Sequence, residues 1–272
     1  MFEVRSDDWS LAYEMTFNED GPRVDAVDAD ATIVTSRSSG LLAEFMTKTG
    51  MTVYFEKEAL LSPDGYLIQP DRARPRFPAD HLTPVDWSGI NIRKESQGPN
   101  RDSDSVQYRV ADLLNAEADW EVILDDDGNG EVADLLLLRR EDRTLHLQLV
   151  HCKYSGGDEP GARVGDLYEV CGQAAKCHKA RAEVEIVLRR ALRREANRRR
   201  DYGRSGFIVG DDALLHSILD ECRLLDPSVT VVVAQPGLSQ ASMSHAQAEV
   251  LACTQKYLSD TYGSEFRVIC SA

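Results

Sequence analysis

Five acids fall within ten residues in "DDDGNGEVAD", and a lone lysine follows the apolar run of "TLHLQLVHCK". Carboxylates are hard oxygen ligands for divalent cations, and an ammonium beside them offsets charge developing on a reacting phosphate. Together these are the parts needed to hydrolyse a phosphodiester at neutral pH, where a cation polarises the phosphate and activates water. The candidates are Asp134 as metal ligand, Glu131 as an auxiliary ligand, and His151 and Lys153 as catalytic groups. His151 can ligate a metal or accept a proton but brings no negative charge. A calcium loop competes for the same stretch, since Asp125, Asp127, Asn129 and Gly130 match its first, third, fifth and sixth positions. Its twelfth position needs a bidentate carboxylate and is Leu136, and strands rather than helices flank it, so a hairpin turn is the better reading.

Three strands would position these groups. "DWEVIL" reads as the first, "DDDGNG" as a turn, "EVADLLLLRR" as the second, "EDR" as another turn and "TLHLQLVHCKYS" as the third. Side chains alternate along a strand, so Asp134 shares a face with Leu136 and Leu138, and His151 and Lys153 share one with Leu147 and Leu149. Pairing the second and third strands then brings Asp134 beside His151 and Lys153. A helix in "SDSVQYRVADLLNA", capped by Ser103 or Asp104, precedes the strands, and another in "GDLYEVCGQAAKCHKARAE" follows them. These helices offer Gln107 and Glu169 as further candidates. Each group also has a structural role to weigh: Asp134 as a strand cap, His151 as a satisfied core histidine, Glu131 as a solvated hairpin residue. A carboxylate ahead of four leucines is costly if buried unpaired, which favours a functional role for Asp134.

With these residues in place, the chain resembles the PD-(D/E)xK nuclease superfamily, whose core is a helix, three strands, a helix and a further strand. "VADLLLL" is similar to its Asp motif on the second strand and "VHCK" to its (D/E)xK motif on the third, with sixteen residues between Asp134 and His151. "LYEVCGQAAK" is similar to the Gln-containing helix of the exonuclease and resolvase branches, which implies Gln173 as a site residue. The likeness spans residues 103 to about 185. It implies an α/β protein with a restriction-endonuclease-like core, acting as a metal-dependent DNA endonuclease of the kind found in prokaryotic defence and DNA processing. It further implies Mg2+ or Mn2+ held by Asp134, the backbone carbonyl of Cys152 and Glu131. His151 would ligate or accept a proton, Lys153 would position water, and Gln173 would orient the scissile phosphate. DNA is the implied partner; a helicase or other defence-system subunit and a homo-oligomer are further expectations. Because His151 stands where the motif has an acid, the alternative is a nuclease-derived nucleic-acid-binding or assembly module without cleavage.

At 272 residues and 42% hydrophobic content the chain can bury a sizeable core. Its net charge of −15 argues against a protein that coats nucleic acid with its whole surface, because phosphate binding needs local Lys and Arg. Charge is uneven, however. Residues 181–204 hold nine Arg and four acids, a stripe that offers Arg193 and Arg194 either to phosphates or to solvent. Arg163, ahead of the second helix, faces that helix's positive end, where a phosphate would bind. The six cysteines include no CxxC pair and read as reduced thiols, with Cys152, Cys171, Cys177 and His178 as a weakly spaced zinc set. The chain lacks both the ~18-residue apolar run of a membrane span and the pattern of a signal peptide, so a cytoplasmic location without a membrane partner is expected.

Residues 1–85 read as a small β-rich module, with strands in "ATIVTS", "MTVYFEK" and "YLIQP", turns such as "SPDG", and a linker in "QPDRARPRFPADHLTP". Its acids admit a third reading, a regulatory part that contacts a partner or mimics nucleic acid. Residues 86–272 read as the nuclease-like domain with a C-terminal α/β extension. That extension holds an Arg-rich helix, strands in "SGFIVG", "TVVVAQP" and "FRVICS", a helix in "DDALLHSILDECRLL" and another over residues 244–262.

Overall fold

Leu135, Leu136, Leu137 and Leu138 form an uninterrupted apolar run, and all four are buried. Leu135 and Leu137 pack with Val106, Val110 and Leu114, whereas Leu136 and Leu138 pack with Leu167, Val170 and Leu188. A strand covered on both faces has no solvent side, so its sequence shows no polar alternation. The computed structural model describes residues 1–18, 21–35, 39–55, 59–63, 66–69, 76–128, 130–176 and 183–272. In it the chain divides into two compact units, Met1–Arg74 and Pro75–Ala272.

The first unit holds an antiparallel sheet of β1 (Phe2–Arg5), β2 (Ser10–Asn18) and β3 (Gly21–Ala26), and a pair of short strands, β4 (Thr32–Val34) and β5 (Ser39–Leu41). Helix α1 (Leu42–Thr49) follows, then a small sheet of β6 (Val53–Tyr54), β7 (Leu60–Leu61) and β8 (Leu67–Ile68). Its core is slight: Tyr13, Val24, Ala43 and Met46.

The second unit runs β9 (Leu82–Val85), α2 (Val106–Glu117), β10 (Val122–Asp125), β11 (Leu135–Glu141), β12 (Thr144–Cys152), α3 (Gly165–Lys176), α4 (Val184–Tyr202), β13 (Phe207–Val209), α5 (Asp212–Glu221), β14 (Asp226–Ser239), α6 (His245–Tyr262) and β15 (Glu265–Ser271). Its strands form one mixed seven-stranded sheet in the order β13-β10-β11-β12-β14-β15-β9. Neighbours from β13 to β12 are antiparallel, and those from β12 through β14 and β15 to β9 are parallel. Helix α2 covers one face with Val106, Val110, Ala111 and Leu114. Helices α3 to α6 cover the other, through residues such as Leu167, Leu188, Leu215 and Leu251. Among the described residues, no helix is long and apolar enough to cross a membrane.

The chain is thus a mixed α/β protein, and several boundaries differ from those expected. Leu82–Val85, expected at the end of the N-terminal module, pairs with β15 as an edge strand, so the second unit begins before residue 86. The cap of α2 is Ser105, whose hydroxyl accepts from the Tyr108 N–H at 3.2 Å, rather than Ser103 or Asp104. The C-terminal segments are not an appendage: Asp226–Ala234 of β14 pairs with β12 along the whole length of β12, and β15 pairs with β14, so they complete the sheet. The connection after β10 is no tight hairpin either. Residues 126–134 lie between the two strands, and pairing resumes only at Leu135, opposite Val150.

Candidate metal centre

The connection from β10 to β11 is held by arginines of α4 spaced four residues apart, which therefore share one helix face. Arg194 donates from Nε to Asp126 Oδ1 and from Nη2 to the Asp126 carbonyl, both at 2.6 Å. Arg198 donates to the carbonyls of Asp125 and, at 2.9 Å, of Asp127, and Arg190 donates to the carbonyl of Gly130. Gly128 and Gly130 have φ of 123° and 85°, values that L side chains avoid, so the loop depends on glycine there. Burial pushes the carboxyls of Asp125 and Asp126 up, and the charges of Arg198 and Arg194 respectively pull them back. Arg194 therefore faces inward, as a counter-ion to Asp126 and not as a free phosphate contact. Arg193, one residue earlier, is exposed.

Asp127, Glu131 and Asp134 remain. One oxygen from each lies within 4.8 Å of the others, so the three could hold a metal ion. No arginine or lysine among the described residues is within ion-pair distance of any of them, unlike Asp125 and Asp126. Single hydrogen bonds aim each carboxylate: the Ser96 hydroxyl donates to Asp127, the Gly128 N–H to Glu131 at 2.6 Å, and the Cys152 N–H to Asp134 at 2.7 Å. Asp134 is 6% exposed. Burial pushes its carboxyl well above the ordinary 3.8; the Cys152 N–H opposes this, while the charges of Asp127, Glu131 and Glu95 add to it. Burial raises Glu131 too. The charge of Arg194 reaches Glu131 without an ion pair and opposes its rise, and converging carboxylates without an ion-pair partner are the arrangement that a hard cation relieves.

Lys153, just past β12, is buried and outside ion-pair distance of Asp134. Its ammonium lies 2.7 Å from Glu169 on α3, 3.0 Å from Glu95 and 4.7 Å from the centre of the Tyr154 ring. Burial lowers its pKa, but Glu169 and Glu95 outweigh burial and raise it, so the group stays cationic. Glu95, the partner of Lys153, carries no sequence signal, being one acid in the polar segment "NIRKESQG" ahead of α2. It accepts from the Tyr154 N–H at 3.2 Å and also pairs with Lys153. Asp127 is visible in the sequence only as part of the rejected calcium pattern.

The register that pairs Leu135 with Val150 sets position 151 opposite Asp134, and His151, buried and by alternation on the α3 side with Leu149, is not one of the three residues whose ligand atoms converge, Asp127, Glu131 and Asp134. Burial and the charge of Lys176 push its pKa down to about 4, so it is neutral at physiological pH. Asp134 precedes the first paired residue of β11 and turns its carboxylate onto the Cys152 backbone. Gln173 is half-buried on α3, one turn beyond Glu169. Gln107 is a brace: it donates to Asp125 at 3.2 Å and to the Asp134 carbonyl at 3.3 Å. Arg163 is engaged within its own loop by Asp166 at 3.2 Å, Ser155 at 2.9 Å and the Glu159 carbonyl at 2.8 Å. The zinc set does not assemble. Cys152 packs on the α2 face and Cys171 on the other, burial raises both thiols, and Cys177 and His178 lie outside the described residues.

In comparisons with known proteins, the chain matches no family model, no curated protein and no solved structure.

Because the folded state raises the Asp134 pKa, the protonated form favours folding and the ionised form costs stability once pH rises through 3.8 toward the folded value. Asp134→Asn keeps an acceptor for the Cys152 N–H and removes the charge. In metal-free thermal denaturation it should melt a few degrees above wild type at neutral pH, with the gap closing as pH falls toward 3.8. Mn2+ should raise the melting temperature of wild type and not of the variant; a rise that survives in Asp134→Asn removes Asp134 from the centre. Arg194→Ala leaves Asp126 buried and unpaired and should cost about 3–5 kcal/mol in urea denaturation. A loss below about 1 kcal/mol would mean the pair is solvent-screened.

Proposed function

We propose that the chain is a metal-dependent nuclease that hydrolyses phosphodiester bonds in DNA, on a core like that of the PD-(D/E)xK superfamily. One observation carries the reading: three carboxylates of the β10–β11 connection converge with no ion-pair partner among the described residues, and Lys153 lies one residue beyond β12. The run α2, β10, β11, β12, α3 supports it, as does β14 parallel to β12, although α4, β13 and α5 intervene before β14.

Asp134, Glu131 and Asp127 would hold Mg2+ or Mn2+, with the backbone carbonyl of Cys152 as a further oxygen donor. When bound, the cation polarises the phosphate and lowers the pKa of a coordinated water. Glu131 and Asp127 would supply the negative charge that His151 does not, so the cation would not depend on His151 as a ligand. Lys153, kept cationic by Glu169 and Glu95, offsets charge on the phosphate and orients water; a group so held is not a general base. Gln173, on the same face of α3 as Glu169, orients the phosphate.

The non-cleaving binding module is the second reading, favoured by Lys153 being tied to two carboxylates away from Asp134. Asp134→Ala and Lys153→Ala should each reduce Mg2+- or Mn2+-dependent cleavage of plasmid and linear DNA by roughly a hundredfold or more, with unchanged circular dichroism. Metal binding that depends on Asp134, without cleavage of either DNA form by wild type, would establish the second reading in place of the first.

A further inference from the structure

Arg194 and Arg198 reach inward from α4, but the same helix face continues toward its C-terminus through Asn197, Asp201 and Tyr202. Beside it opens a cleft of about 470 Å³ whose lining also includes Ser96, Asp127 and Arg204. Asp127 belongs both to this cleft and to the metal centre.

The cleft's charges are sorted unequally. Arg198 is fixed by the carbonyls of Asp125 and Asp127, and Asp201 is paired with Arg200 at 2.8 Å. Arg204 pairs with no carboxylate among the described residues, and its half-buried side chain has a Nε that makes no hydrogen bond. Its guanidinium lies over the ring of Tyr202, 5.7 Å from the centroid, and Tyr202 is 72% exposed. The cleft thus carries a cation, Arg204, with no carboxylate partner among the described residues, and an accessible aromatic ring held with it, next to an acid of the candidate metal centre.

We propose that this cleft binds one nucleotide of an unpaired nucleic-acid strand, with the phosphate on Arg204 and the base stacked on Tyr202. The volume suits a ligand of that size. An aromatic platform beside a guanidinium recognises bases only when they are free of a duplex, because paired bases present no open face. This inference rests on the nuclease reading, since a strand seated here would lead its neighbouring phosphate past Asp127; it adds that the substrate is single-stranded at the point of attack.

The test is fluorescence anisotropy of fluorescein-labelled oligo(dT) with the full chain in calcium-containing buffer, with strand integrity checked on gels. Tyr202→Ala and Arg204→Ala should each weaken binding about tenfold, Tyr202→Phe should bind like wild type, and a duplex of equal length should bind more weakly and not respond to Tyr202→Ala. Binding unaffected by either alanine variant, equal binding of duplex, or no measurable binding of oligo(dT) would overturn the proposal. The two readings fail separately. Tyr202-dependent binding without cleavage in Mg2+ or Mn2+ sinks the nuclease and keeps the cleft; cleavage lost in Asp134→Ala but untouched in Tyr202→Ala and Arg204→Ala keeps the nuclease and sinks the cleft.

Discussion

Arg194 and Asp126 meet 2.6 Å apart in a region where both side chains are largely withdrawn from water. A carboxylate in such a place needs a partner, because desolvation otherwise forces it to take up a proton or unfold its surroundings. The end of β10 and the connection after it carry five acids, Asp125, Asp126, Asp127, Glu131 and Asp134, and the arginines of α4 form ion pairs with only the first two among the described residues. Arg198 and Arg194 answer Asp125 and Asp126, and their remaining donors close on backbone carbonyls and hold the loop's course. The excess charge of Asp127, Glu131 and Asp134 is then concentrated in one small volume. The basic stripe of α4 is therefore what creates an acidic centre, by deciding which carboxylates are neutralised and which are left for a cation.

The second constraint is the sheet. β11 and β12 are buried on both faces along their apolar runs, and the charged groups Asp134 and Lys153 lie where the strands end. The parallel strand β14 keeps β12 in place to its last residue, with the Lys153 N–H bonded to the Ala234 carbonyl at 2.9 Å. Lys153 is thereby presented to acids from two other segments, Glu95 ahead of α2 and Glu169 on α3. An ammonium gripped by two carboxylates keeps its proton, which assigns it an electrostatic part in the proposed chemistry and excludes proton abstraction.

His151 keeps the motif's register position opposite Asp134 but not the charge of the acid expected there. In sequence it occupies the place of an acid in a (D/E)xK pattern; in the fold it sits under α3, neutral, within reach of the charge of Lys176. The negative charge that the pattern lacks is instead concentrated in the β10–β11 connection, whose length and glycines let Asp127 and Glu131 fold back toward Asp134.

The order of helices and strands from α2 to β15 was legible in the chain, since apolar periodicity and capping residues are local properties that survive in any fold burying them. Asp134 and Lys153 were legible for a related reason: a charge at the end of an apolar strand has few structural uses. The α4 arginines could be counted but not assigned, because whether a guanidinium faces a phosphate or a carboxylate depends on what lies across from it. Glu95, Asp127, the inward turn of Arg194 and the burial of His151 came only from tertiary structure. Asp127 depends on how one glycine-bent loop folds back on itself, and the others on distances between segments far apart in the chain; electrostatics in a buried site is a property of those distances rather than of residue type.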